Sequence, residues 1–243
     1  MILAGSLALA QVAAPGAALA AAPSGSEVSF STFDSVQVSG TFWAQKDASP
    51  TALLLHQVGG SRADWDGLPA ELYARGFSVL AIDFRGHGAS RAQGGRRLDS
   101  QDFSDKDWRG LSGDVLGAMD WMGRQPGVNP ERISMVGASI GANLALVGGA
   151  VDKRVRTLVL LSPGLDYKGI KTERAMEKWG TRPVLLVASE GDKYSSDSAS
   201  RLASLSAGRR AIKIFHGSGH GAALIASEPT LKIQIVGWLD QNR

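Results

Sequence analysis

The chain has 243 residues and no cysteine, with 44% hydrophobic and 20% charged residues and a formal charge of +3. That composition suits one globular domain with a fully buried sheet and argues against extensive disorder, and the lack of cysteine removes disulfides, thiolate metal sites and a cysteine nucleophile. The tightest basic cluster, Arg91, Arg96 and Arg97, sits in a Gly-containing loop without interleaved aromatics, so no nucleic-acid partner is expected.

Met1–Ala22 is Ala/Leu-rich, uncharged and resembles a secretory signal peptide, with Ala18-Leu19-Ala20 as its A-x-A pattern. Pro15, Gly16 and Gln11 dilute the run, so export is expected rather than a stable membrane span. After the spacer Pro23–Ser26, two β-like stretches, Glu27–Phe33 and Val36–Trp43, flank the turn residues Asp34-Ser35 and read as a hairpin. Six short Val/Ile/Leu-rich runs follow: Thr51–Leu55, Ser78–Phe84, Arg132–Val136, Thr157–Leu161, Pro183–Ala188 and Ala211–Phe215. Each ends in polar residues or glycine, as strands buried on both faces do.

Helical patterns lie between them at Asp64–Arg75, Ser104–Arg124, Ile140–Ala150, Thr172–Lys178, Ser195–Ser206 and Leu224–Gln241. Ser104 is a capping residue, and Trp108, Leu111, Val115, Met119 and Met122 recur at helical spacing behind it. Alternation this regular predicts an open, mostly parallel eight-stranded sheet with right-handed crossovers and an antiparallel N-terminal hairpin. Residues 27–243 form one domain in this reading.

Gly137-Ala138-Ser139-Ile140-Gly141 follows a strand and opens a helix. This is a G-x-S-x-G turn in the setting where it serves as a nucleophile elbow: the serine hydroxyl is lifted above the sheet at the positive end of a helix. A serine hydroxyl is a weak nucleophile without a base, and only four histidines exist. His56 and His87 belong to other motifs. His216 adjoins the last strand, whereas His220 lies on a Gly-rich loop before the final helix and is the better base. An acid must fix the tautomer of that imidazole. Asp192, after Gly191 at the end of a strand, is the preferred acid, with Glu190 as runner-up.

The order Ser139…Asp192…His220 resembles that of α/β-hydrolases, and the resemblance runs from about Val28 to the C-terminus. Asp83-Phe84-Arg85-Gly86-His87-Gly88-Ala89-Ser90 is similar to that family's D-x-R-G-H-G-x-S turn, where the histidine orders the loop. Leu55-His56-Gln57-Val58-Gly59-Gly60 occupies the place of its oxyanion loop. The resemblance implies that the backbone N–H groups of Val58 and Ile140 hold the developing oxyanion. Gln57 stands where the family usually has glycine, which makes the Gln57 amide a rival donor.

The compact build resembles the dienelactone-hydrolase branch, but with serine in place of the usual cysteine nucleophile. The resemblance implies a serine hydrolase of carboxylic esters and a small-molecule ester as substrate. Peptidase, thioesterase, lactonase and acyltransferase chemistries share the same triad, and a non-catalytic binding protein could share the fold. No grouping of His, Asp and Glu has metal-ligand spacing, so neither metal nor cofactor is expected. Many members of the family carry a helical cap after the sixth strand. Here only the 20 residues Pro163–Arg182 fill that place, with one charged helix, so a large cap is not expected. Trp65, just past the oxyanion loop, is a candidate wall for substrate, while Trp108, Trp121 and Trp238 read as core.

Overall fold

The computed structural model describes residues 24–243; the expected leader, Met1–Ala22, lies outside the described residues. The eight expected strands all form: β1 (Ser26–Ser31), β2 (Val36–Trp43), β3 (Ser49–Leu55), β4 (Ser78–Ile82), β7 (Val128–Ala138), β8 (Val155–Leu161), β11 (Val184–Ser189) and β12 (Arg210–Phe215). Two short hairpins were not expected: β5 (Ala92–Gln93) with β6 (Arg96–Arg97), and β9 (Asp166–Tyr167) with β10 (Ile170–Lys171). The main sheet therefore has ten strands rather than eight, in the order β12-β11-β8-β7-β3-β4-β2-β5-β6, with β1 paired to β2. The six strands from β4 to β12 in that order pair parallel, while β1, β2, β5 and β6 form an antiparallel edge.

Among the described residues the α-helices are α1 (Leu68–Ala74), α2 (Asp105–Met122), α3 (Ile140–Val151), α4 (Glu173–Trp179), α5 (Lys193–Leu205), α6 (Ala223–Ser227) and α7 (Leu231–Gln241). Alternation along the strands explains the layers, because successive side chains leave opposite faces. Leu53 and Leu55 join Leu80, Ile82 and Met135 under α2 to α5, while Ala52 and Leu54 join Val79, Ala81 and Val136 under α1, α6 and α7. These side chains are fully buried, and each contributes about 1.5–3 kcal/mol relative to exposure if it is a Leu, Ile or Val.

Two helices depart from the sequence reading. The pattern beginning at Asp64 turns helical only at Leu68, with a turn through Asp66 and Gly67 before it and Pro69 in its first turn. Proline is favoured there because the first helical N–H groups have no partner to lose. The single helix expected over Leu224–Gln241 is broken into α6 and α7 around Glu228-Pro229-Thr230, since proline cannot continue the backbone ladder. No helix of the described residues is long and apolar enough to cross a membrane.

Candidate active site

Ser139 sits between β7 and α3 with φ 53° and ψ −119°, a conformation costly for a residue with a Cβ. What enforces it is backbone packing on both sides. A Cβ on Gly137 would lie 2.2 Å from Gly141 O, and one on Gly141 would lie 2.0 Å from Leu55 O. The strand before the serine and the helix after it can approach this closely only with glycine at both positions. Ser139 N–H donates to Leu161 O at 2.8 Å, which locks the elbow onto β8.

Asp192 leaves the end of β11 and is the N-cap of α5, where its Oδ1 accepts from Ser195 N–H at 3.3 Å. Its Oδ2 lies 2.5 Å from His220 Nδ1. Burial pushes the Asp192 carboxyl up, but the bonds with His220 and Ser195 outweigh it and hold the group below the usual carboxylate range. Asp192 is thus ionised beside an imidazole whose Nδ1 proton it holds, which leaves Nε2 as the basic nitrogen. Among the described residues, Ser139 Oγ is not hydrogen-bonded to His220. The runners-up pair with each other: His216 Nδ1 lies 2.8 Å from Glu190 Oε2 on the exposed rim, and that bond raises the His216 pKa.

The loop that carries His220 is held from three strand ends. Ser189 Oγ donates to Gly219 O (2.6 Å), Ser162 Oγ accepts from Gly221 N–H (2.9 Å), and Gln57 Oε1 accepts from Ala222 N–H (2.9 Å). The departure at Gln57 therefore has a use: its side-chain carbonyl clamps the loop that carries His220. Ile140 N–H opens α3, and Val58 is exposed at the tip of a turn closed by Gly60 N–H on Gln57 O. Among the described residues, neither the Val58 nor the Ile140 N–H donates to a protein acceptor, so both are free donors.

His56 joins this turn to the D-x-R-G-H-G-x-S loop. Its Nδ1–H donates to Gln57 O at 2.6 Å and its Nε2 accepts from Phe84 N–H at 2.9 Å. Burial pushes its pKa down to about 4, so it remains neutral. In the next loop, Arg85 binds Asp114 and Asp34, Asp83 accepts from the Arg62 and Ala89 N–H groups, and His87 Nδ1 donates to Arg85 O. These residues brace the loop.

Tyr167 was missed in the sequence. It comes from the β9–β10 hairpin, its hydroxyl is 2.9 Å from Ser195 Oγ, and its ring meets that of His220 edge-on at 6.4 Å. Ser162 and Ser189 were missed as well, and Gln57, expected only as a rival oxyanion donor, holds the His220 loop through its side chain; each is a polar residue placed just past or at the end of a strand on the edge that carries Ser139. Trp65 is no substrate wall: it is 1% exposed and packed with Leu68 and Leu72.

A cleft of about 650 Å³ opens along Val58–Ser61, with His87, Arg91, Trp108 and Lys168 among its walls. Among the described residues no group of His, Asp and Glu could hold a metal ion.

The sequence profile of the alpha/beta hydrolase fold matches residues 50–182, more than half of the chain. The chain belongs to the alpha/beta hydrolase fold family. Within that family it is 28% identical over 181 residues to a polyketide transferase of a Penicillium species, covering 73% of this chain and 53% of that protein. It spans about half the length of the curated relatives it matches. Among solved structures, an esterase of Pyrococcus furiosus superposes with a TM-score of 0.70 at 18% identity, covering 90% of this chain and 92% of that one. A dienelactone hydrolase from Anabaena variabilis gives 0.68 at 19% identity, covering 90% and 96%.

Proposed function

We propose that this chain is a serine hydrolase of carboxylic esters that works through a covalent acyl-enzyme, with Ser139 as nucleophile, His220 as base and Asp192 as acid. The observation that carries this reading is the 2.5 Å pair of His220 and Asp192 on the same sheet edge as the strained Ser139. Ser139 Oγ attacks the acyl carbonyl while His220 Nε2 takes its proton, and the ionised Asp192 stabilises the imidazolium. The oxyanion is held by Val58 and Ile140 N–H, with the Gln57 amide as the alternative to Val58. The alcohol leaves with the proton from His220, and water then repeats the attack. No step needs a metal or cofactor.

A fluorophosphonate probe tests this directly, because only an activated serine reacts with it. One adduct is expected, mapped by peptide mass to Ser139 and lost in Ser139→Ala, together with hydrolysis of p-nitrophenyl acetate. A Ser139→Ala protein that keeps most of its esterase activity would sink the reading.

A second reading, acyl transfer to an acceptor other than water, is favoured by the relative named a polyketide transferase. Its mark would be a transfer product formed from a thioester and an added alcohol faster than free acid.

A further inference from the structure

On the serine-hydrolase reading above, the base is the least constrained of the three residues: His220 stands on a loop with glycine at 217, 219 and 221, and its side chain is 43% exposed. Nucleophile and acid leave rigid elements, but neither touches the other. We propose that Tyr167 and Ser195 form a second arm between them, a positioning pair that fixes Asp192, and through it His220, relative to Ser139.

The arm is continuous. The Tyr167 hydroxyl lies 2.9 Å from Ser195 Oγ. Ser195 N–H donates to Asp192 Oδ1 at 3.3 Å. Burial, together with the Asp192 charge, pushes the Tyr167 phenol above its ordinary range, so it stays protonated and able to donate. With Tyr167 donating to Ser195 Oγ, the residue whose N–H holds Asp192 is itself fixed in place. Asp192 then accepts from His220 on one oxygen and from Ser195 on the other, which removes its freedom to rotate.

Buried polar groups hold Tyr167 in place, which a passive wall would not need. Asn143, fully buried on α3 one turn after Ser139, accepts from Gly164 N–H at 3.0 Å and donates to Ile170 O at 2.8 Å. Thr172 Oγ1 donates to Gly164 O at 2.8 Å. The hairpin carrying Tyr167 is thereby registered at both ends to the helix that begins at the nucleophile. A Cβ on Gly164 would lie 2.6 Å from the Tyr167 ring, so the ring lies flat on that backbone, and Tyr194 closes its other side at 5.5 Å between centroids. Coupled hydrogen bonds in such a shielded setting strengthen one another.

The test is a double-mutant cycle on Tyr167→Phe and Ser195→Ala, read by kcat and KM on p-nitrophenyl acetate and by the downfield proton NMR signal of the His220–Asp192 bond. Each variant is expected to lower kcat about ten-fold with KM within about two-fold of wild type, and to shift the NMR signal. The double variant should be no worse than Ser195→Ala alone, because Tyr167 acts through Ser195, and Ser195→Thr should restore kcat. Losses that multiply in the double variant, or a raised KM at unchanged kcat in Tyr167→Phe, would overturn the arm. If Ser195→Ala does not fold, Tyr167→Phe and Ser195→Thr decide alone, and an unmoved NMR signal in Tyr167→Phe overturns it. Wild-type protein that is labelled by the fluorophosphonate while both variants behave normally sinks this inference only. Wild-type protein that is never labelled sinks both readings.

Discussion

Ser139 and His220 leave the carboxyl edge of one sheet, but the two are held by different means. Around Ser139 the constraint is local: residues 137–141 are buried, and main-chain atoms of β3 and α3 stand where any Cβ at Gly137 or Gly141 would go. Around His220 the constraint is remote. Gln57, Ser162, Ser189 and Asp192, spread over more than a hundred residues of sequence, each supply one polar atom to a loop that is otherwise open to solvent. A local constraint writes a motif into the sequence. A remote one leaves single polar residues that look ordinary where they stand.

The largest effect should come from breaking the link between the two regions. Asp192→Asn leaves the shape but favours the wrong imidazole tautomer, so kcat should fall by about four orders of magnitude while the thermal unfolding midpoint changes little. Glu190→Gln, whose partner is the exposed His216, should alter kcat by less than about two-fold. If those two results were exchanged, the acid would be Glu190.

Breaking the elbow should unfold rather than slow the protein. In Gly141→Ala the new methyl carbon would meet Leu55 O at 2.0 Å and His56 O at 2.6 Å, and neither backbone atom can move without β3. A loss of about 3 kcal/mol or more is expected in urea unfolding. A variant with wild-type stability would show that the elbow is not packed as described.

Breaking the base loop should do the reverse. Gln57→Leu removes the acceptor of Ala222 N–H, a hydrogen bond of about 1 kcal/mol net. Stability should fall by about that much, while kcat/KM for p-nitrophenyl acetate drops about ten-fold as the loop loses its register. An unchanged kcat/KM would mean that the remaining bonds position His220 unaided.

The same contrast sorts what the sequence discloses. The eight long strands, the strained turn at Ser139 and the pairing of Asp192 with His220 are legible because buried runs, flanking glycines and strand ends are local signals. The break at Pro229 was readable in principle, since proline in a helical pattern is itself the signal, and Pro69 likewise marks where α1 starts. The two-residue strands β5, β6, β9 and β10 carry no periodicity at all. Tyr167 is placed by Asn143, 24 positions away, through bonds that no pattern of residue types announces.

The smallest effect concerns substrate length, and it asks whether the wall beside the site is built like the elbow or like the loop. The structure gives it the rigidity of the elbow. Ala175, Met176 and Trp179 of α4 are buried in the core beneath the sheet's helical layer, so that helix is anchored rather than poised to lift. Arg182 stacks on Trp179 at 3.6 Å from the ring centroid and accepts the Trp179 Nε1–H on its carbonyl at 2.7 Å, which pins the end of the segment. The outward residues Glu173, Arg174, Glu177 and Lys178 are charged, unlike the apolar face that a lipid-seeking lid presents. The cleft that starts at Val58 is walled by Ser61, Asp64, His87, Arg91 and Lys168 along with Phe103 and Trp108, so an acyl chain that runs from the oxyanion turn into it would find few apolar neighbours. Each added methylene should then contribute less than the ~0.8 kcal/mol of a fully enclosed one. On p-nitrophenyl esters kcat/KM should peak between acetate and hexanoate and fall beyond it, with no jump in rate when an emulsion forms. A clear preference for palmitate, or activation by emulsified triglyceride, would mean that the wall opens and that the segment after β8 behaves as a lid.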